Sequence, residues 1–199
     1  MRILVTDGMD KAAMETLRGQ GHEIVEQFYE PDQLGAALRE FDCAVIRSAT
    51  KIRAQQIQEA KGSRLKLLIR AGVGLDNIDV EAAKAAGIQV KNTPRASSRA
   101  VAELAMAHMF SCARNISIAG HTMREGKWEK KAYSKGFELC GKTLGVLGYG
   151  RIGQTIGAMA QALGMQVLAY DIYQVDSLEC STMHYAPMDE VLAKSDIIT

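Results

Sequence analysis

The stretch GKTLGVLGYGRIGQTIGAMAQALGMQVLAYD, Gly141 to Asp171, decides how this chain folds. An apolar run from Thr143 to Leu147 leads into Gly148-Tyr149-Gly150-Arg151-Ile152-Gly153. A helix-length apolar pattern follows, then Val167-Leu168-Ala169-Tyr170 and an acid, Asp171. Strand, glycine turn, helix, strand and acid form the fingerprint of a dinucleotide site. Gly148 is expected to permit the tight turn, Gly150 the approach of backbone to pyrophosphate, and Gly153 the contact of helix with strand. The first helical turn then offers unpaired N–H groups to phosphate, with those of Arg151 and Ile152 best placed. Asp171 lies 21 residues after Gly150, where a carboxylate accepts from ribose hydroxyls. Ile172-Tyr173-Gln174 contains no cation to hold a 2′-phosphate, so the expected cofactor is NAD rather than NADP. The competing reading is a purely structural β-α-β turn.

Bulk properties narrow the class. The chain has 199 residues, 47% hydrophobic and 24% charged, with net charge +1. Such composition suits a soluble globular protein of one large or two small domains. It argues against nucleic-acid or membrane-surface binding by bulk charge. No basic segment with an apolar core follows Met1, and no apolar run approaches membrane-spanning length. Cys43, Cys112, Cys140 and Cys180 are scattered, with no paired spacing. They read as reduced, mostly buried residues of a cytoplasmic protein, with no metal site.

Outward from the fingerprint, short apolar runs alternate with helical patterns. Ile3-Leu4-Val5, Glu23 to Glu26, Ala44-Val45-Ile46, Leu65 to Ile69 and Ile88-Gln89-Val90 read as strands. Residues 10–18, 31–40 and 80–86 read as helices, the last capped by Asp79. Repeated β-α units of this length predict a parallel sheet with helices on both faces. From Ser98 to about Ala119, Val101, Leu104, Ala105, Met109, Cys112 and Ile116 recur at helical spacing, which predicts one long helix. Ser97 and Ser98 are its expected N-caps. Residues 187–194 predict a further helix, and Asp196 to Thr199 the start of a strand. A doubly wound dinucleotide domain has two mononucleotide halves; only the first is evident, so the chain is expected to stop inside that domain.

Several segments together resemble one family, the D-isomer-specific 2-hydroxyacid dehydrogenases. They are Arg47-Ser48-Ala49-Thr50-Lys51, Arg70 to Asp79, Asn92-Thr93-Pro94, Ala100 to Leu104, Arg114-Asn115-Ile116, Gly126-Lys127-Trp128-Glu129 and the glycine fingerprint. The resemblance covers the whole chain, and its first two motifs lean toward the phosphoglycerate-oxidising branch. It implies an α/β protein: a flavodoxin-like substrate domain, here residues 1–95, followed by a Rossmann-type dinucleotide-binding domain, here 96–199, truncated after its first half.

The resemblance also implies hydride transfer between nicotinamide and a D-2-hydroxy acid or its 2-oxo acid, in a cytoplasmic homodimer or homotetramer. The expected substrate is 3-phosphoglycerate, at the entry to serine biosynthesis. The alternatives are a glyoxylate or hydroxypyruvate reductase of the same family, or a non-enzymatic NAD-sensing module like the family's corepressor relatives. The family's catalytic Arg, Glu and His lie beyond the strand begun by Asp196. No Asn-x-x-Arg-Gly or Pro-His-x-Gly occurs in the chain, so no catalytic residue is expected within it.

For binding, Arg47 and Arg70 each close an apolar strand at its carboxyl end, where open α/β sheets place ligands. A guanidinium there can fork onto a carboxylate or phosphate; the plain alternative is a surface arginine. Gly72 and Gly74 suit a tight turn whose exposed N–H groups can also donate to a carboxylate. The resemblance puts Gly72, Val73 and Gly74 against substrate and Val73 beside the cofactor. It also implies that the stretch with Trp128, Lys130 and Lys131 can reach a neighbouring subunit's active site; the plain reading is a solvated loop. Lys51 reads as solvated. Glu103 is read equally as a helix-dipole carboxylate and as functional.

Overall fold

The computed structural model describes residues Met1–Thr199 and divides into two compact units, Met1–Ala96 and Ser97–Thr199. Unit 1 alternates β1 (Arg2–Val5), α1 (Lys11–Gly19), β2 (Glu23–Glu26), α2 (Pro31–Leu38), β3 (Cys43–Ile46), α3 (Ala54–Ala60), β4 (Leu67–Arg70), α4 (Val80–Ala85) and β5 (Gln89–Asn92). All strand pairs are parallel, and the sheet order is β2-β1-β3-β4-β5. That is the flavodoxin-like order, with its switch point between β1 and β3.

Alternation along the strands sends side chains to two cores. Leu4, Ala44, Ile46 and Leu68 join Leu34, Leu38, Phe41, Ile52 and Ile57 on one face. Ile3, Val5, Cys43 and Val45 gather with Met9, Ile24, Leu67 and Ile69 on the other. Burial on both faces explains why these strands read as continuous apolar runs rather than alternating ones. The helices begin where local chemistry permits. Asp10 accepts from Ala13 N and Asp79 from Ala82 N, both as N-caps, and Pro31 opens α2.

Unit 2 contains α5 (Ser98–Arg114), α6 (Ile116–Arg124), β6 (Thr143–Leu147), α7 (Arg151–Ala162), β7 (Gln166–Tyr170), a 3-10 turn at Asp176–Leu178, β8 (Met183–Tyr185), α8 (Met188–Lys194) and β9 (Ile197–Ile198). Its sheet is parallel in the order β8-β7-β6-β9, matching the first four positions of a Rossmann sheet. The fold is therefore α/β, a flavodoxin-like unit followed by a Rossmann-type one.

Four expectations need correction. The helix from Ser98 breaks at Asn115, which adopts the left-handed conformation (φ 56°) and separates α5 from α6. Asparagine enters this region more readily than other non-glycine residues. The buried face of α5 is Ala102, Met106, Met109 and Ala113, packed with Ile156 and Ala160 of α7, while Val101, Leu104, Cys112 and Ile116 are exposed. Small residues allow the two helices to approach, so alanines rather than the larger residues face inward. Ser97 occupies the N-cap position, but its side chain makes no capping bond. Of the four cysteines only Cys43 is buried, and burial pushes its thiol up to about 11. No group of three or more His, Cys, Asp or Glu is placed to hold a metal, and no helix is long and apolar enough to cross a membrane.

Candidate functional site

Each unit presents a group of candidate residues at the carboxyl ends of its strands. In unit 2 this is the turn from β6 into α7. Gly148 has φ +98°, a conformation that side chains rarely adopt, and donates its N–H to Tyr170 O. A Cβ on Gly153 would collide with the carbonyl oxygen of Gly148, so the third glycine is required for α7 to lie against the strand. Gly150 is different. Its φ is −75°, and no atom lies within 4 Å of where its Cβ would sit. Neither backbone geometry nor protein packing demands glycine there, and the open space is what a bound pyrophosphate would use. Gly150 also heads α7 without a side-chain cap, so the first-turn donors, those of Ile152 and Gly153 among them, remain for an anion.

Asp171 follows the last residue of β7. Its Oδ2 accepts from Tyr149 N at 2.7 Å and its Oδ1 from Tyr173 N at 2.9 Å. Each oxygen keeps a lone pair for a further donor. The carboxylate thus ties the glycine turn to β7 while still facing outward, a structural duty that spacing alone did not reveal. Tyr149 itself is buried. It stands edge-on to Tyr185 with ring centroids 5.8 Å apart, and its hydroxyl lies where a Cβ on Gly157 would be. Burial raises the Tyr149 hydroxyl pKa. The arrangement fits a dinucleotide: glycines where bulk is excluded, helix donors for phosphate, and an acid for ribose.

In unit 1 the candidate residues sit on neighbouring strands. Ile46 pairs with Arg70 and Arg70 with Asn92, which brings the ends of β3, β4 and β5 level. Arg47, just past Ile46, is exposed; Arg70 is half-buried. Neither guanidinium has an acidic partner within 4.0 Å, although nine other ion pairs form in the chain. Arg70 Nη1 makes one long contact, 3.4 Å to Ala71 O, and Nε is buried without any partner. The side chain curls over its own loop, and a Cβ on Gly72 would coincide with Nη1. Gly72 is therefore glycine because Arg70 occupies its side-chain space. A cation that is partly desolvated and unpaired is costly unless an anion joins it.

Two residues given no site role from sequence hold this loop. Asn92 Nδ2 donates to Val73 O at 2.6 Å, and Thr93 N donates to Gly72 O at 2.9 Å. The Asn92-Thr93-Pro94 segment, read above as part of the family resemblance, thus fastens the turn that carries Gly72, Val73 and Gly74. Glu103 lies in unit 2, exposed and paired with Arg99 at 2.8 Å, one turn away on α5. Lys51, Lys130 and Lys131 are exposed, as is Trp128 at 76%. The histidines offer no comparable arrangement. His121 pairs with Glu125 at 3.3 Å, but on the exposed surface of α6; His22, His108 and His184 lie at none of the strand ends described.

Known proteins share this chain's sequence pattern and fold. The family model described as D-isomer specific 2-hydroxyacid dehydrogenase, catalytic domain, matches residues 3–184. A hydroxypyruvate reductase of Thermotoga maritima is 45% identical over 199 residues, covering 100% of this chain and 63% of that protein. A D-3-phosphoglycerate dehydrogenase of Methanocaldococcus jannaschii is 45% identical over 173 residues, covering 87% of this chain and 32% of that protein. The chain thus spans from about a third to under two thirds of the length of these relatives. Among solved structures, an NAD-dependent formate dehydrogenase of Staphylococcus aureus in complex with NAD superposes with a TM-score of 0.83 at 25% identity, over 100% of this chain and 64% of that one. An acyclic imino acid reductase in complex with NADPH and D-Arg does so with 0.82 at 30% identity, again over 100% and 64%.

Proposed function

Because this chain belongs to the D-isomer-specific 2-hydroxyacid dehydrogenase family, we propose that the whole protein transfers a hydride between NAD and a D-2-hydroxy acid. We assign 3-phosphoglycerate as the substrate, giving 3-phosphohydroxypyruvate for serine synthesis. The observation that carries the reading is Arg70, half-buried at the end of β4 with Nε unpartnered; neither it nor Arg47, which follows the end of neighbouring β3, has an acidic partner within 4.0 Å. Two cations without counter-charge suit a dianionic phosphate together with a carboxylate better than a carboxylate alone.

Bound NAD supplies the hydride acceptor. Around it, the first-turn donors of α7 hold pyrophosphate, and Gly150 leaves room for the approach. Asp171 accepts from the adenosine ribose hydroxyls and repels a 2′-phosphate, which favours NAD over NADP. Arg47, Arg70 and the N–H groups of the Gly72-Val73-Gly74 turn orient the substrate anion, with Val73 assigned to border the cofactor. As hydride leaves the substrate carbon, its hydroxyl proton must pass to a base. No histidine of the chain lies at the end of β3, β4 or β6, so we assign that base to sequence outside these residues.

A second reading, hydroxypyruvate as substrate, is favoured by the full-chain match to the Thermotoga reductase. Initial rates of the whole protein with each substrate separate the two. Arg70→Ala should raise KM for 3-phosphoglycerate by roughly tenfold to a hundredfold, the worth of one charged hydrogen-bond partner, and raise KM for hydroxypyruvate less. Equal rises would make Arg70 a carboxylate ligand and favour the second reading. NAD binding without turnover of any 2-hydroxy acid would favour an NAD-sensing interaction module instead.

A further inference from the structure

The loop after β3 is held at both ends by residues from elsewhere in unit 1. Asp7, beyond the end of β1, accepts from Arg47 N at 2.6 Å and Thr50 N at 3.1 Å through Oδ2, and from Thr50 Oγ1 at 2.6 Å through Oδ1. From the opposite side, Asn77 Nδ2 donates to Arg47 O at 2.6 Å and Thr50 O at 2.7 Å. The N–H and C=O of both Arg47 and Thr50 are thus occupied. Thr50 Oγ1 also lies 2.8 Å from Thr6 Oγ1. Thr6, Thr50 and Asn77 are all buried.

Asn77 stands three residues after Gly74. Its own carbonyl accepts from Ile52 N at 2.9 Å, and Ile52 O accepts from Asp79 N at 2.9 Å. One side chain therefore joins the two loops that carry Arg47 and Arg70. A hydrophobic core needs none of this: the same loop could turn in water with its backbone solvated. Burying three polar residues to fix one exposed arginine is explicable if the direction of that arginine matters.

We propose that Asp7, Thr50 and Asn77 are positioning residues that set substrate affinity by fixing the backbone from which Arg47 reaches the anion. The inference rests on the strand-end anion site described under the proposed function. None of the three need touch substrate; they act through Arg47.

The test is a set of steady-state measurements on the whole protein with 3-phosphoglycerate and NAD. Arg47→Ala should raise the substrate KM by about tenfold. Asn77→Ala and Thr50→Val should raise it several-fold, with KM for NAD and kcat at saturating substrate little changed. Thr50→Ser, which keeps the hydroxyl, should recover affinity. Combined with Arg47→Ala, Asn77→Ala should add no further rise, because the group it positions is gone. The inference is overturned if Asn77→Ala multiplies KM equally with and without Arg47, or if Thr50→Val lowers the melting temperature but leaves KM unchanged. Should Asn77→Ala fail to fold, the Thr50→Val and Thr50→Ser pair decides alone. An unchanged KM in Arg47→Ala would remove the clamp and the anion site together, whereas a raised KM there with unchanged Thr50→Val removes the clamp only.

Discussion

At the end of β6 the chain offers backbone donors and a glycine with empty space beside it, whereas at the ends of β3 and β4 it offers two guanidinium groups. The first arrangement is local: strand, turn and helix within about thirty residues bring every part together. The second is assembled from four separated segments, around Asp7, Arg47, Arg70 to Asn77, and Asn92. A backbone site is specified by which side chains are missing, so glycines announce it. A side-chain site is specified by what holds the side chains, and those holders are scattered.

The largest expected break falls on the backbone side. Gly153→Val would drive a side chain into the carbonyl of Gly148 and the side chain of Val146, neither of which can yield without moving the turn. Overpacking costs about 1–3 kcal/mol and occasionally more; here the clash is with backbone and displaces the α7 donors as a group, so the loss of NAD binding should exceed that of any single contact. Thermal unfolding should shift down and NAD titration should show binding lost; full NAD affinity would mean that close packing of α7 is not what the motif encodes.

Next in size is Asp171→Ala. Loss of a charged acceptor costs about 1.5–3 kcal/mol, roughly tenfold to a hundredfold in affinity, and should fall on NAD much more than on NADP. Because Asp171 also accepts from Tyr149 N and Tyr173 N, a part of the loss common to both cofactors is expected from loosening of the turn. Equal loss for the two cofactors would leave only that structural part, and the ribose assignment would fall.

A smaller effect sharpens the side-chain half. Gly72→Ala places a methyl group where Arg70 Nη1 lies and on a backbone of φ +158°, so the arginine must move aside and the loop must adjust. Substrate KM should rise, but less than in Arg70→Ala, with NAD affinity unchanged. Binding kinetics indistinguishable from the parent protein would show that the curled position of Arg70 is irrelevant to substrate.

The smallest effect concerns acid stability. Burial alone would raise the Asp7 pKa, but the bonds from the Thr50 hydroxyl, the Thr50 and Arg47 N–H groups and Thr6 outweigh it and hold the carboxyl below its ordinary 3.8. A depressed folded-state pKa contributes stability above the unfolded value, lost as pH falls through the folded one. Asp7→Asn should therefore be less stable at neutral pH, and its deficit should shrink as pH drops below 3.8. A deficit constant across that range, in denaturant titrations, would show that Asp7 contributes by shape alone.

The same contrast governs what could be read from sequence. The central strands β1, β3 and β4 and the whole β6-α7-β7 unit were legible because strands buried in a parallel sheet are mostly apolar runs and the glycine turn is a local pattern. The edge strands β2 (Glu-Ile-Val-Glu) and β5 (Gln-Val-Lys-Asn) showed only short apolar centres. α3 escaped notice: Ala54-Gln-Gln-Ile-Gln-Glu-Ala60 has little apolar periodicity, and only Gln56, Ile57 and Ala60 are buried. β8 is three residues, Met183-His184-Tyr185, too short to show a period. Apolar size is a poor guide to the packed face of α5, because the close approach of α7 selects Ala102 and Ala113. In the side-chain site, Arg47, Arg70 and the glycines stood out at strand ends. Asn77 and Asn92 did not, since a polar residue after a strand ordinarily faces water and only the fold reveals which carbonyls they hold. The Asx residues following Gly74 were the available signal.

The two strand-end sites divide the labour of binding, one holding the cofactor and the other the substrate, and paired titrations of Arg70→Ala and Asp171→Ala in the whole protein are the decisive test. Calorimetric binding of NAD and steady-state KM for 3-phosphoglycerate are measured on both variants. The expected result is crossed: Arg70→Ala keeps NAD affinity and loses substrate affinity, while Asp171→Ala loses NAD affinity and, at saturating NAD, keeps its substrate KM. Loss of NAD binding in Arg70→Ala as large as in Asp171→Ala would contradict it.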